Sequence, residues 1–253
     1  MPDFLGIIPA RYASTRFPGK PLADIHGKPM IMRVYERAQQ SLDHVIVATD
    51  DSRIYEAVTE AGGKALITSA DHPSGTDRCR EAMELYCHKT GKNFDVVINI
   101  QGDEPFILPG QIDMLKKIFV KDASAEIATL VKVIDDPAVI FDPNKPKVIL
   151  NKKKEALYFS RSPVPFIRGF ENNEWFERHI FYHHIGLYAY KADVLSEITT
   201  LEQGLLEKAE SLEQLRWLEN GYKIKTAITE FETFGIDTPE DLAHALKLKI
   251  LED

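Results

Sequence analysis

The chain has 253 residues, a formal net charge of −8 at pH 7 and a sequence pI near 5.5, which argues against a general nucleic-acid binder. This length suits one large α/β domain, or a domain with a small inserted lobe. The first residues carry Asp3, no basic segment and only a short apolar run, so we expect neither a signal peptide nor a membrane span. Cys79 and Cys87 form neither a CxxC site nor a disulfide framework, which favours a cytoplasmic protein.

The first stretch with a chemical signature runs from Leu5 to Pro21. The apolar run 4–8 predicts a strand covered on both faces and ended by Pro9. A cationic loop rich in proline follows, and beyond a strand of an α/β sheet such a loop favours phosphate binding over an ordinary basic surface. Its candidate phosphate ligands are Arg11, Ser14, Thr15, Arg16 and Lys20. The loop lacks the Walker and G-x-G-x-x-G patterns, which disfavours ATPase and dinucleotide-binding functions.

The next segments alternate between strand and helix. Their spacing predicts helices over 29–41, 53–61 and 77–90, and strands over 45–48, 64–68 and 95–100. Ser74 and Asp77 have the spacing of a capping box that opens the third helix. We therefore expect a single domain over 1–253, an α/β fold with a Rossmann-like, mostly parallel sheet and helices on both faces.

The strand over 95–100 leads into Gln101-Gly102-Asp103-Glu104-Pro105, at the sheet edge that also carries the cationic loop. Asp103 is a candidate magnesium ligand, because Mg²⁺ takes one or two protein carboxylates together with phosphate oxygens and water. The amide of Gln101 could read the edge of a base. An ordinary turn is the alternative, since Gly, Asp and Pro are typical turn residues.

The second half of the chain mixes antiparallel and helical signals. We expect a helix over 111–120, a strand over 127–133, an irregular segment over 135–144, and a hairpin of strands 147–150 and 156–161. An aromatic excursion leads to a strand over 183–190, followed by a helix over 207–219 and a strand over 222–229. We interpret 155–190 as an embedded antiparallel hairpin lobe that supplies a dimer interface, the alternative being a lobe packed on its own domain.

Two further observations concern metals. His183 and His184 are adjacent on a strand and point to opposite faces, which disfavours zinc. At the end of the chain Thr238 is the natural N-cap of a last helix, and Asp241 completes its capping box. Asp237 is not needed for that cap. We predict it as a second magnesium ligand, at the end of a strand closing over 234–236.

Several of these stretches resemble the 3-deoxy-manno-octulosonate (Kdo) cytidylyltransferases, a family of sugar nucleotidyltransferases. The similar stretches are P-A-R-Y-A-S-T-R-F-P-G-K-P-L from 9 to 22, S-G-T-D-R from 74 to 78, Q-G-D-E-P from 101 to 105, F-S-R from 159 to 161, H-x-G-x-Y from 184 to 188, and S-L-E-Q-L-R from 211 to 216. They span nearly the whole chain. The resemblance implies a cytoplasmic, magnesium-dependent homodimer that transfers CMP from CTP to the 2-hydroxyl of Kdo for lipopolysaccharide biosynthesis and releases pyrophosphate.

The resemblance also implies roles for individual residues. Arg78 would lie beside the nucleotide, although helix capping alone explains its neighbours. The residues implied to bind the sugar are Arg161, His184, Tyr188, Glu213 and Gln214. A polar helix face is the alternative for the last two. A cytidylyltransferase for another acidic sugar, such as a sialic acid, and a non-catalytic nucleotide-binding protein are the competing functions.

Overall fold

The computed structural model describes residues 1–13, 16–231 and 234–247. Its strands are β1 (Phe4–Ala10), β2 (Asp24–Ile25), β3 (Lys28–Pro29), β4 (Val45–Thr49), β5 (Ala65–Ile67), β6 (Val96–Asn99), β7 (Ile127–Val133), β8 (Lys147–Leu150), β9 (Ala156–Ser160), β10 (Tyr182–Lys191) and β11 (Ile224–Thr229). Its helices are α1 (Met30–Gln39), α2 (Ser52–Glu60), α3 (Gly75–Thr90), α4 (Pro109–Lys121), α5 (Pro137–Phe141), α6 (Trp175–Arg178), α7 (Ala192–Ile198), α8 (Leu205–Glu210), α9 (Gln214–Glu219) and α10 (Pro239–Ala245). No helix in these described ranges is long and apolar enough to span a bilayer.

The expected mostly parallel α/β sheet is confirmed. The main sheet has the strand order β11-β7-β10-β6-β1-β4-β5, in which β10 runs antiparallel to both of its neighbours and the other pairs are parallel. The hairpin of β8 and β9 joins this sheet through the start of β10. The antiparallel part predicted from the sequence is therefore present. In addition, β10 forms antiparallel pairs with β6 and β7 in the centre of the sheet.

Strand β1 shows why helices cover both faces of the sheet. Its successive residues Ile7 and Ile8 are both inaccessible to solvent, and they belong to separate apolar clusters. Ile8 packs with side chains of α1 and α4, whereas Ile7 packs with side chains of α3 and α7. Neighbouring residues on a strand point to opposite faces, so these clusters form one core on each side of the sheet.

Two elements differ from the expectation. Strand β1 continues through Pro9, which pairs with Ala48 of β4 beyond the point where Asn99 of β6 pairs with Ile7. The helix expected over 207–219 is two helices, because Ser211 takes a left-handed conformation with φ of 52° and ends α8. Proline is tolerated where a strand has a paired neighbour on one side, and a left-handed residue stops an α-helix.

The aromatic lobe packs partly on itself. Trp175 stacks on Phe181, contacts Phe166 edge-on, and donates its indole N–H to the carbonyl of Phe170 over 3.1 Å. Trp175 and Phe181 form a small apolar cluster with Ile134 and Ile140. The lobe therefore has a small apolar core of its own beside the sheet. Helix α5 lies in the segment 135–144 that we expected to be irregular, and α6 lies in the aromatic excursion, for which we expected extended chain.

The loop after β6 crosses close to the end of β1 at Gly102. A Cβ atom at this position would lie 2.9 Å from the carbonyl oxygen of Pro9, whereas a Cβ on Gly110 in α4 would meet nothing within 4 Å. We expect Gly102→Ala to lower the free energy of unfolding by about 1–3 kcal/mol, because backbone must move to relieve the contact.

Gly110→Ala is the matched control, and it should be neutral or stabilise by up to about 1 kcal/mol, since alanine restricts the unfolded chain. Urea unfolding of both variants measures the difference. Equal midpoints would contradict the close approach at Gly102.

Candidate functional site

A cleft of about 420 Å³ opens where β1 and β6 end. Its walls combine the cationic loop after β1, the loop after β6, the start of α3 and the residue before the last helix. The lining residues are Pro9, Ala10, Arg11, Ala13, Arg16, Lys20, Pro21, Gly75, Gln101, Gly102, Asp103 and Asp237. The carboxyl ends of parallel strands are where open α/β sheets bind ligands, and most of the residues expected to handle phosphate lie here.

The cationic loop is folded back on itself. Gly19 has a φ of 73° and donates its N–H to the carbonyl of Tyr12 over 2.9 Å. The Tyr12 ring is covered on one face by the guanidinium of Arg53, 3.3 Å from the ring centroid. This closure directs Lys20, at the start of a short 3₁₀ turn, toward the cleft. Ser14 and Thr15, which we expected to add hydroxyl donors, lie outside the described residues.

The two predicted acids lie together around one lysine. The Nζ atom of Lys20 is 2.8 Å from Oδ2 of Asp103 and 3.0 Å from Oδ1 of Asp237. Arg16, largely exposed, adds a contact of 3.0 Å to the other oxygen of Asp237. Burial of the ammonium acts to lower the pKa of Lys20, but the charges and hydrogen bonds of the two carboxylates outweigh it, so its pKa is raised.

The position of Asp237 depends on the segment before α10. The N–H of Ile236 donates to the carbonyl of Asp103 over 2.9 Å, and Ile236 is buried among the side chains of Met30 and Phe106. The strand expected over 234–236 is absent from the described residues there. The hydrogen bond from Ile236 and the apolar packing of its side chain therefore hold Asp237 beside Asp103. Thr238 caps α10 as predicted, which leaves the Asp237 carboxylate free to face Lys20.

The pair of acids suits a hard divalent cation. Carboxylate oxygens are the protein ligands that Mg²⁺ prefers, and one positive group, the Lys20 ammonium, already contacts both of them. Within the described parts of the chain no cluster of three or more His, Cys, Asp or Glu side chains could hold a metal ion. A magnesium ion at Asp103 and Asp237 would therefore take its remaining ligands from phosphate and water.

Of the residues expected to bind nucleotide, Gln101 lies in the cleft and Arg78 lies beneath it. The side-chain amide of Gln101 donates to the carbonyl of Gly186, where the register of β10 is interrupted, over 3.2 Å. Arg78 is 1 % exposed, pairs with Asp50 at 2.8 Å and also donates to Thr68. Its geometry favours a role in holding the start of α3 against β4, and a direct contact with the nucleotide stays a prediction.

The residues expected to bind sugar gather between β9, β10 and α9. The ring centroid of His184 is 5.1 Å from that of Tyr188, whose ring packs edge-on against Trp217. Burial, together with the neighbouring His183, lowers the pKa of His184 to about 3, so its ring is neutral near pH 7. Burial and the charge of Glu213 raise the pKa of Tyr188 well above its usual value.

Arg161 and Glu213 already have protein partners. The guanidinium of Arg161 donates to the carbonyls of Glu210 and Ser211 at the end of α8, and to that of Pro143. The carboxylate of Glu213 accepts from the Thr76 hydroxyl over 2.7 Å and from the Arg216 guanidinium over 2.9 Å. Burial raises the pKa of Glu213, against the effect of these hydrogen bonds.

Among the described residues, several buried polar atoms in this region have no hydrogen-bond partner within the protein, including Oδ1 of Asn99 and Nε2 of Gln214. Asn99 was missed by the sequence reading. It closes β6 opposite Tyr188 of β10, and the only signal for it was a polar residue inside an apolar run. Buried polar atoms are normally paired, so unpaired ones beside a candidate pocket suggest a polar ligand.

Comparisons with known proteins identify the family of the chain. The sequence profile of the family described as Cytidylyltransferase matches residues 5–224. A 3-deoxy-manno-octulosonate cytidylyltransferase of Parabacteroides distasonis is 62% identical over 97% of this chain and 98% of its own. The corresponding protein of Bacteroides thetaiotaomicron is 60% identical over 96% of each chain.

A solved structure, that of a CMP:2-keto-3-deoxy-manno-octonic acid synthetase complexed with CTP, has a TM-score of 0.88 and 44% identity, covering 96% of this chain and 97% of that one. Profile, sequences and structure thus agree over nearly the full length. The chain belongs to the cytidylyltransferase family and, within it, to the 3-deoxy-manno-octulosonate cytidylyltransferases.

Proposed function

We propose that the chain transfers CMP from CTP to the 2-hydroxyl of Kdo and releases pyrophosphate, as a step of lipopolysaccharide biosynthesis. The observation that carries this proposal is the meeting of Arg16 and Lys20 with Asp103 and Asp237 in one cleft at the ends of β1 and β6. The names of the similar proteins supply the substrate pair. The free thiols of Cys79 and Cys87 agree with a reducing cytoplasm.

In the proposed reaction the oxygen of the sugar 2-hydroxyl bonds to the α-phosphorus of CTP, and the hydroxyl proton is released to water. The bond from that phosphorus to the bridging oxygen breaks, and pyrophosphate leaves. Arg11, Arg16 and Lys20, which line the cleft, would neutralise charge on the transferring group and on the leaving pyrophosphate. No covalent enzyme intermediate is required, because positioning and electrostatic stabilisation supply the catalysis.

Asp103 and Asp237 are the residues that would hold magnesium. When bound, the ion supplies positive charge that polarises the phosphates. The protein's own contribution is to bring two carboxylates from distant parts of the chain to one point. The contact of Ile236 with Asp103 and the cap at Thr238 accomplish this.

Kdo would bind on the side of the cleft where β10 and α9 approach. The unpaired polar atoms of Gln214 and Asn99, and the hydroxyl of Tyr188, would form hydrogen bonds with sugar hydroxyls. The neutral ring of His184 can donate as well as accept. Carbonyl groups hold Arg161 in a fixed orientation, as bidentate binding of the sugar carboxylate requires. The carboxylate of Glu213, which accepts from Thr76, would accept a further hydrogen bond from a sugar hydroxyl.

On the nucleotide side, Gln101 and Ser14 are the remaining candidates for contacts with CTP, and Arg78 would support the start of α3. The Gln101 amide reaches across to β10, so it lies between the nucleotide and sugar sides. A base or ribose contact by Gln101 would use its carbonyl oxygen or its second N–H, since only one N–H of the amide donates to Gly186.

The first test is pyrophosphate release with CTP, Mg²⁺ and a panel of 2-keto sugar acids. We expect release with Kdo and little with a sialic acid. Release with the sialic acid alone would replace the sugar assignment, and binding of CTP without release in any mixture would favour a nucleotide-binding protein without activity. Omitting each component in turn is the control.

The second prediction concerns the acids. Asp103→Asn and Asp237→Asn should each lower turnover by about 10²-fold or more, because each removes a carboxylate facing the phosphates. The fold should persist, since Thr238 and Asp241 still cap α10.

Asp135→Asn is the matched control for these variants, because Asp135 is an exposed acid paired with Lys132 outside the cleft. It should keep normal turnover. Near-normal activity of Asp237→Asn at saturating magnesium would instead make Asp237 a turn residue.

We further propose that the chain is a homodimer that associates through the hairpin lobe over 155–190. Several large apolar side chains of this lobe remain exposed although part of it is packed: Leu157 at 58%, Phe166 at 72% and Ile180 at 61%. Their burial against a second copy would remove a substantial apolar surface from water.

Light scattering at micromolar concentration should therefore report twice the 28.7 kDa mass of one chain. Phe166→Glu should shift the equilibrium toward the monomer, because it would bury a charge in the interface. Val120→Glu, at an exposed position of α4, should leave the mass unchanged. A monomeric wild-type protein would rule out the interface.

A further inference from the structure

Lys20 is placed as a cation shared by the two acids, which is more than a phosphate ligand requires. Its ammonium lies 2.8 Å from Asp103 and 3.0 Å from Asp237, and its side chain is only 13% exposed. Both carboxylates are more exposed than the lysine between them. The lysine therefore lies behind the acids and satisfies one oxygen of each.

A divalent cation bound by these carboxylates would be attracted by the same negative charges that attract the Lys20 ammonium. Two positive centres within a few ångströms of each other repel, and each weakens the attraction of the acids for the other. Displacing the ammonium costs least when it gains another anionic partner, because a desolvated charge without a partner is costly. The phosphates of a nucleotide are such a partner.

We propose that Lys20 and the divalent cation compete for Asp103 and Asp237, so that the metal binds tightly only after nucleotide phosphates have drawn the ammonium away. Lys20 is then a positioning residue that sets the order of binding. The inference rests on the proposed function in so far as it takes these two acids as metal ligands. It adds a role for Lys20 before any chemistry occurs.

The opposite role predicts the opposite sign. If Lys20 only held the two acids in place, its removal would let them separate and would weaken metal binding. If Lys20 competes with the metal, its removal leaves two carboxylates with less positive charge nearby and strengthens metal binding. The direction of the change in affinity therefore decides between the two roles.

The chain offers a matched control in Lys225. Its Nζ atom lies 3.1 Å from Asp122 and 2.9 Å from Glu155, so it also bridges two carboxylates. None of these three residues lines the cleft. The other oxygens of Asp122 and Glu155 accept hydrogen bonds from Ser124 and Asn151, so loss of Lys225 does not leave an open pair of carboxylates for a metal ion. Removing this lysine changes the net charge by the same amount as removing Lys20, and it too breaks a two-acid bridge.

The experiment measures Mn²⁺ binding from the free-ion electron paramagnetic resonance signal, with neither nucleotide nor sugar present. Relative to the wild type we expect Lys20→Met to bind Mn²⁺ about 10-fold more tightly, which is about 1.4 kcal/mol. Lys20→Arg, which keeps the charge, should bind as weakly as the wild type, and so should Lys225→Met. Adding Asp237→Asn to Lys20→Met should abolish the gain.

Unchanged or weaker binding by Lys20→Met would overturn the proposal. An equal gain in Lys225→Met or Lys20→Arg would also overturn it, since the effect would then come from general charge or from loss of the native side chain. Because no substrate is present, these outcomes are separate from those of the pyrophosphate assay. A protein inactive on every sugar could still show the competition.

A measurement on the wild-type protein covers the case in which Lys20→Met fails to fold. Mn²⁺ should displace the ammonium of Lys20 and raise the rate at which an amine-acylating reagent modifies it, by several-fold in peptide mass spectrometry. Lys225 should react at an unchanged rate. A rate for Lys20 that stays constant or falls with saturating Mn²⁺ would mean that the ion and the ammonium do not compete.

Discussion

The contact of one ammonium with two carboxylates holds the cleft together. Lys20, Asp103 and Asp237 come from three separate regions of the chain, and each is delivered by a different element. The closed loop after β1 presents the lysine, the tight crossing at Gly102 presents the first acid, and the apolar burial of Ile236 presents the second. Two adjacent acids would repel each other, so the arrangement depends on the positive charge between them.

Two hydrogen bonds connect the phosphate side of the cleft with the candidate sugar side. Gln101 donates to Gly186 in β10, and Thr76 at the start of α3 donates to Glu213 before α9. Both span large distances along the chain and are at least partly buried, where an intact polar network is rigid and a broken one is costly. These two hydrogen bonds therefore join the loop after β6 to β10 and the start of α3 to the residue before α9.

Much of the fold could be predicted because its signals are local. The strand over 127–133 was predicted to the residue, and the cap at Thr238 was read correctly from three neighbouring side chains. The prediction of one continuous helix over 207–219 was wrong, because Ser211 adopts a left-handed conformation that the neighbouring residues do not indicate. Carbonyls at that break are bonded by Arg161, which lies 50 residues away, so the break is fixed by tertiary structure.

The same distinction applies to the candidate site. Asp237 could be singled out because local capping rules account for Thr238 and Asp241 and give Asp237 no role in the cap. The placement of Arg78 could not be foreseen, since its partner Asp50 follows β4 and the pair forms only when β4 packs against α3. A sequence therefore indicates which polar residues local structure leaves unused. Whether such a residue lies in an open cleft or meets a buried partner depends on which elements become neighbours: the exposed Asp237 lines the cleft, whereas the buried Arg78 pairs with Asp50.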